Sequence, residues 1–536
     1  MILEHRARLF SALGVAAAML AVYVLTNAGR IDIIDGQIRY EVAANWLDTG
    51  EPTLRDPALL NTPFAIRSER GIYALYNAGA SVAAMPLMLL SRALPGHTAE
   101  RDRFAFSMTG PVFGAATAAV LVLAYGMLGL GTASAVCWAA IASVATMWWP
   151  GSLTVFDQNQ HALLLLTALL LAWHSGRRAS VGWSALAGLV GGLLLTYQEI
   201  YVLLLPFLGL PVFASTGPPP SAGSWRARDV DRAALVRYAT FGAACGVGLL
   251  LFAAFNYGRF GTWLAQSRYG APLFTGNPIA GLLSFSVSPG KSIVLFSPPV
   301  ILAVAGAKGL FRRAPVVVAA VILVSLVHVL LVVQLPFFGG DWCWGPRYLL
   351  ILVPLWALAF PFAAPAVGRW IVGIIVTAGL VVQLTGISID YQRFFLERDF
   401  PPYFWVDQWV YFKHSQLMAR TQELRALARD GVPADATRFS PTPNAQITYT
   451  PGGPPKGRRP SIWVRQFAVF YTLRPWPLWI YGLDAERRPI EPAPLLWACG
   501  ALLAGGLVLL TLGLRRAARL PAGGAAPIGV VPTTSR

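Results

Sequence analysis

The sequence predicts an all-α polytopic membrane protein with about twelve transmembrane helices and a long first loop outside the membrane. Three observations carry this expectation. Of 536 residues, 56% are hydrophobic and only 12% are charged, about half the charged fraction of a soluble domain. Mean hydropathy is +0.56. Apolar runs near 20 residues recur along the chain, each long enough to cross a hydrocarbon core of roughly 30 Å.

The first element is the N-terminal "MILEHRARLFSALGVAAAML". It has the basic start of a signal sequence, but the apolar run continues to Ala28, so it reads as an uncleaved span over 9–28. Eleven further runs follow at 105–129, 132–149, 159–174, 181–197, 200–214, 238–256, 292–309, 315–336, 348–365, 370–389 and 493–513. One more run, 72–94, carries Asn77 and a central Pro86.

Arginine placement decides how 72–94 is read, because cytoplasmic loops concentrate Lys and Arg. If 72–94 does not cross, Arg6 and Arg8, Arg177 and Arg178, "WRARDVDR" at 225–232, Arg312 and Arg313, Arg369 and the tail "LRRAAR" share one side with both termini. If it crosses, every later cluster opposes the N-terminus. The segment therefore reads as a helix or helix pair at the outer surface. The net charge of +17 is explained by this partition, and nucleic acid is not an expected partner. Four cysteines occur, with no metal spacing and no evident pair. Neither a metal nor a cofactor is expected.

The chain then divides into a transmembrane module over 1–389, with 29–104 as its first outer loop, an outer region of unassigned fold over 390–492, and a last helix with a basic cytoplasmic tail over 493–536. The 390–492 region is rich in Trp, Tyr and Pro and holds a helical piece, "HSQLMARTQELRALARD". No internal repeat is visible.

The outer side collects Asp32, Asp35, Asp157, Glu199, Arg259, Lys291, Asp341 and Arg347, all at span ends. Ionisable residues gathered at one membrane face point to a site there. In "IDIIDGQIRYEVAANWLDTG", an amphipathic helix starts near Asp35 and stops at Gly50. Asp35 at a helix start is held ionised by the dipole and can accept a proton from a hydroxyl; an ordinary N-cap is the competing reading. In "FDQNQH", Asp157 and His161 share a helix face. "SPGKS" lacks the spacing of a phosphate loop, but Lys291 at a span start makes an anion site, as does Arg259 nearby. In "DWCWGPRY", Gly345-Pro346 sets a turn that launches Arg347 into the next span. Arg347 can hold a phosphate by a two-pronged contact, while Trp342 and Trp344 either belong to the interfacial aromatic belt or, with Tyr348, wall a sugar or lipid chain.

Taken together, "DGQIRYEVAANWLDTG", "YNAGASVAAMPLMLLSRAL", "FNYGRFG…SPGKSIVLFSPP" and "GGDWCWGPRYLLILVP" resemble the bacterial GT-C membrane glycosyltransferases, the group of protein O-mannosyltransferases and lipid A aminoarabinose transferases. The likeness covers roughly 10–390. It implies transfer of a sugar from a polyprenyl-phosphate donor to a hydroxyl on the periplasmic face of the bacterial inner membrane. The acceptor is a glycan, lipid or protein. The family's first-loop acid falls on Asp35, which becomes the catalytic base, with Asp32, Asp157 and His161 as acceptor contacts. Arg347, Lys291 and Arg259 become donor-phosphate ligands. The usual second acid is Gly36 here, which removes support for a paired-acid or metal-bridging role. The rival reading is a lipid or solute transporter of the cell envelope. Transporters place charges near the bilayer midplane and show repeats, whereas these charges sit at one face.

Overall fold

The structure is a computed structural model that describes residues 2–31, 33–60, 64–214, 232–264, 274–336, 338–340, 343–389, 391, 394, 415–431 and 492–518, with two-residue pieces at 440–441, 446–447, 462–463 and 470–471. Asp32, Trp342, Asp341 and most of 390–492 lie outside the described residues.

Helices dominate the fold. The N-terminal half contains α1 (Ile2–Thr26), α2 (Ile34–Thr49), a hairpin of β1 (Ala65–Ser68) and β2 (Gly71–Ala74), α3 (Gly79–Ala93), α4 (Ala99–Ser107), α5 (Thr109–Met127), α6 (Thr132–Val144), α7 (Gln158–Arg178) and α8 (Val181–Gly192). Then come α9 (Arg232–Phe260), α10 (Ile301–Arg313), α11 (Pro315–Val332), α12 (Arg369–Ser388), α13 (Gln416–Asp430) and α14 (Pro492–Ala518). In the hairpin, Ala65 pairs with Ala74 and Ser68 with Gly71. As the sequence predicts, α2 ends at Gly50, whose φ of +76° lets its N–H return to the Trp46 carbonyl at 2.9 Å.

Six helical runs among the described residues are long and apolar enough to cross a membrane: Glu4–Thr26, Ala99–Met127, Arg232–Phe260, Pro315–Val332, Arg369–Ser388 and Ala493–Ala518. A seventh is a run bent by 53° between Arg347–Ala357 and Phe360–Val367. Among the described residues the remaining apolar runs do not form helices that are both long and apolar enough to cross. Proline explains much of this, since it removes an N–H and clashes with the preceding turn. Pro206 and Pro211 leave 200–214 as short turns, Glu199–Leu203, Leu205–Leu208 and Leu210–Phe213. Pro298-Pro299 interrupt 292–309 before α10 begins. α7 is long enough at 21 residues, but its first turn is polar. α3 has 15 residues, about 22 Å by helical rise, too short for a hydrocarbon core.

Among the described residues the main core is a large apolar cluster in which α7 is largely buried, with smaller clusters beneath α2 and α3. α1 and α14 approach closely through small residues; a Cβ on Gly14 would lie 2.8 Å from the Gly506 carbonyl oxygen, the kind of contact that joins helices in lipid. Outward faces stay apolar, with Leu250 on α9 and Ile374 on α12 well exposed. Such broad exposed apolar surface fits contact with lipid rather than water.

The two ends of this bundle differ. At one end, Arg8, Arg177 and Arg313 gather around the last turn of α5. At the other end of α1, the Asn27 side chain donates to the Leu153 carbonyl at 2.8 Å. The loop beyond Leu153 carries Asp157 at the start of α7, the opposite end from Arg177.

Candidate active site

α2 presents Asp35 and Arg39 one helical turn apart, so both side chains leave the same face. Each meets an opposite charge. An Asp35 carboxylate oxygen lies 3.6 Å from an Arg347 guanidinium nitrogen. Arg39 donates to Asp157 at 2.8 Å. Two acids and two arginines thus form a neutral quartet.

The two pairs differ in access. The Asp35 side chain keeps 19% of its exposure, against 4% for Asp157. Burial alone would push the Asp157 carboxyl up, but Arg39, His161 and Arg347 outweigh it and hold it below the ordinary aspartate range. Asp157 is therefore a committed anion. His161 reaches it at 3.5 Å through one ring nitrogen, and the other shares a 2.8 Å hydrogen bond with the Tyr201 hydroxyl.

Tyr76 links the pairs. Its hydroxyl donates to Asp35 at 2.6 Å, and its ring lies under the Arg39 guanidinium at 4.5 Å. The other Asp35 oxygen faces Arg347, so the carboxylate is oriented from both sides. Arg347 in turn lies 3.9 Å from the centre of the Phe156 ring and donates to the Tyr348 hydroxyl at 3.2 Å. Arg347, Trp344, Phe156, Gln158 and Thr154 line a narrow crevice of about 20 Å³, room for a water-sized group. A planar cation backed by aromatic rings can pair with a phosphate where the crevice widens to admit one.

Gly36 has a steric reason. A Cβ there would lie 2.2 Å from Val155 Cγ2. A side chain there needs Val155 to move by about an ångström, so the packing disfavours a second acid beside Asp35. Among the described residues no group of three or more His, Cys, Asp or Glu is placed to hold a metal.

Two expected phosphate ligands require correction. Arg259 is turned inward: it donates to the Ala74 and Tyr76 carbonyls at 2.8 and 3.0 Å and to the Asn256 amide oxygen at 2.8 Å. It fixes the segment that carries Tyr76. Lys291 is also buried, and its Nζ donates to the Gly345 and Cys343 carbonyls at 3.1 and 3.4 Å. These cations hold the backbone around the site. Gly345, at φ +66°, is held at both peptide groups, because its N–H donates to the Gln416 side chain of α13 at 3.3 Å. The turn that launches Arg347 is therefore pinned by Lys291 from below and by the region after α12 from above.

Trp344 packs edge-on against Phe296, ring centres 5.0 Å apart, and sits over Gly386. The structure thus brings Asp35, Asp157, His161, Arg347, Trp344 and Tyr348 together and moves Lys291 and Arg259 into supporting roles. Arg39, Tyr76, Tyr201 and Gln416 are members that sequence reasoning missed. Only Arg39 carried a signal, its spacing of four from Asp35. Comparison with protein-family models and with curated proteins gives no match for this chain.

Proposed function

We propose that the chain is an integral glycosyltransferase of the bacterial inner membrane, with about twelve crossings counting broken ones. It would move a sugar from a polyprenyl-phosphate donor to a hydroxyl acceptor on the periplasmic face. The reading rests on its sequence resemblance to GT-C enzymes. One structural observation supports it best: the partly accessible Asp35, oriented by Tyr76 and Arg347, beside an aromatic-backed crevice.

The chemistry follows from those contacts. Without donor, Asp35 and Arg347 neutralise each other. A donor phosphate at the mouth of the crevice, which must widen to admit it, competes for Arg347 and releases Asp35 as a base. The acceptor hydroxyl attacks the anomeric carbon, its proton passes to Asp35, and the bond from that carbon to the phosphate oxygen breaks. Arg347 stabilises the charge that grows on the leaving phosphate. With a second carboxylate disfavoured at Gly36, direct displacement inverts the anomeric centre.

The test is release of free polyprenyl phosphate from a labelled lipid-linked sugar by the purified protein in lipid nanodiscs. Acceptor-dependent release supports transfer. Movement of intact donor between vesicle leaflets without cleavage supports the transporter reading instead.

A further inference from the structure

The opposite end of the bundle carries an unneutralised cluster. Arg8 of α1, Arg177 of α7 and Arg313 of α10 donate to three consecutive carbonyls of one helix end: Gly126 at 2.9 Å, Met127 at 3.2 Å and Leu128 at 2.7 Å. Carbonyls at a helix C-terminus lack helical donors and carry about half a negative charge. Among the described residues the one acid paired with any of the three is Glu4, which meets Arg8. Three arginines, one glutamate and the helix end sum to about +1.5 (3 − 1 − 0.5). Arg178 and Arg312, both exposed, add to this.

The cluster is also shaped. Arg177 lies 5.3 Å from the Trp173 ring and Arg313 lies 5.0 Å from the Phe362 ring, so apolar neighbours fix both guanidiniums. Gly126 makes room for Arg8: a Cβ there would lie 2.9 Å from Arg8 Cδ. Each hydrogen bond to the helix end uses one nitrogen of the guanidinium, leaving further donors on Arg177 and the exposed Arg313.

We infer that the arginines converging on the C-terminus of α5 bind the phosphate headgroup of an anionic phospholipid. Basic pockets between membrane helices take such headgroups, and this one supplies planar donors from three separate helices. The bound lipid would tie α1, α5, α7 and α10 together at the end remote from Asp35. The inference needs the chain to sit in a membrane but does not depend on the glycosyltransferase reading.

The experiment uses the full chain in neutral detergent, with thermal unfolding and native mass spectrometry as readouts. Added phosphatidylglycerol at about 10²–10³ times its Kd should raise the wild-type Tm by about 2–4 °C, as a ligand selective for the native state does, and should remain bound in the gas phase. Phosphatidylcholine should do neither. Arg177→Gln/Arg313→Gln should lose the shift, and Arg177→Lys/Arg313→Lys should keep part of it. If the double glutamine variant does not fold, Arg313→Gln alone, at an exposed position, should lose about half. A glutamine variant that keeps the full shift, or equal stabilisation by phosphatidylcholine, overturns the site. An equal shift from millimolar inorganic phosphate overturns the lipid assignment.

Discussion

Replacing Gly36 by alanine tests how tightly Asp35 is placed. The added Cβ would lie 2.2 Å from Val155 Cγ2 and 3.1 Å from Ile31 Cγ2. Relief to an ordinary contact near 3.4 Å needs a local shift of about 1.2 Å (3.4 − 2.2). Two effects oppose one another. Alanine gains up to about 1 kcal/mol of helix propensity over glycine. Overpacking in a filled interior costs about 1–3 kcal/mol. At so severe an overlap the steric term should win, with a net loss of about 1–2 kcal/mol. Asp35 is the adjacent residue, so its carboxylate should move relative to Arg347 and Tyr76. Misplacing a reacting group by about 1 Å can reduce turnover roughly 10²-fold. The assay pairs thermal unfolding with turnover of a labelled donor. Val155→Ala in the same chain removes the closest atom and should restore much of both. A Gly36→Ala protein as stable and active as wild type would refute the packing argument.

Further outcomes follow from the same contacts. Lys291→Met removes the charged donor of the Gly345 carbonyl, which keeps only the Arg347 N–H and the Cys343 thiol, and should loosen the turn. With Cys137, Cys245 and Cys499 replaced by alanine, Cys343 should then alkylate several-fold faster, whereas an unchanged rate would return Lys291 to a role outside the turn. Gln416→Leu should also speed that labelling, and Gln416→Glu, which can still accept from the Gly345 N–H, should not. Arg39→Met strands a buried Asp157 and should destabilise by about 3–5 kcal/mol, with Arg39→Met/Asp157→Leu recovering part of it; additive losses in the double variant would deny the pairing. Because the Asp157 pKa is lowered on folding, its contribution is present above the ordinary aspartate value of 3.8 and is lost as pH falls towards the depressed folded value. Asp157→Asn should therefore flatten the acid limb of the stability profile.

Part of the candidate site was legible because several of its members carry a local signal in the sequence, though they lie far apart along it. Asp35 was marked by the helix start that Gly50 closes, Asp157 and His161 by their spacing, and Arg347 by the Gly345-Pro346 turn. Arginine placement also separated the two ends of the bundle, since Arg8, Arg177 and Arg313 do meet at one helix end. The charges of Arg259 and Lys291 were visible, but their partners were not. Arg259 serves carbonyls more than 180 positions earlier, and Lys291 serves a turn more than 50 positions later. A cation that clamps backbone has the same sequence appearance as one that awaits a ligand. Hydropathy likewise reported apolarity but not continuity, and prolines turned several runs into chains of short turns. Tyr76 was hidden because its role depends on α2 and the β2–α3 connection meeting in space.

The central claim is that Asp35 removes the acceptor's proton while Arg347 holds the donor phosphate. Single-turnover release of polyprenyl phosphate by Asp35→Asn protein, measured beside donor affinity, tests it most directly. The account predicts a rate loss of about 10²–10⁴-fold with donor affinity equal to or better than wild type, since Arg347 no longer faces a competing carboxylate. Near-normal turnover by folded Asp35→Asn protein would contradict it.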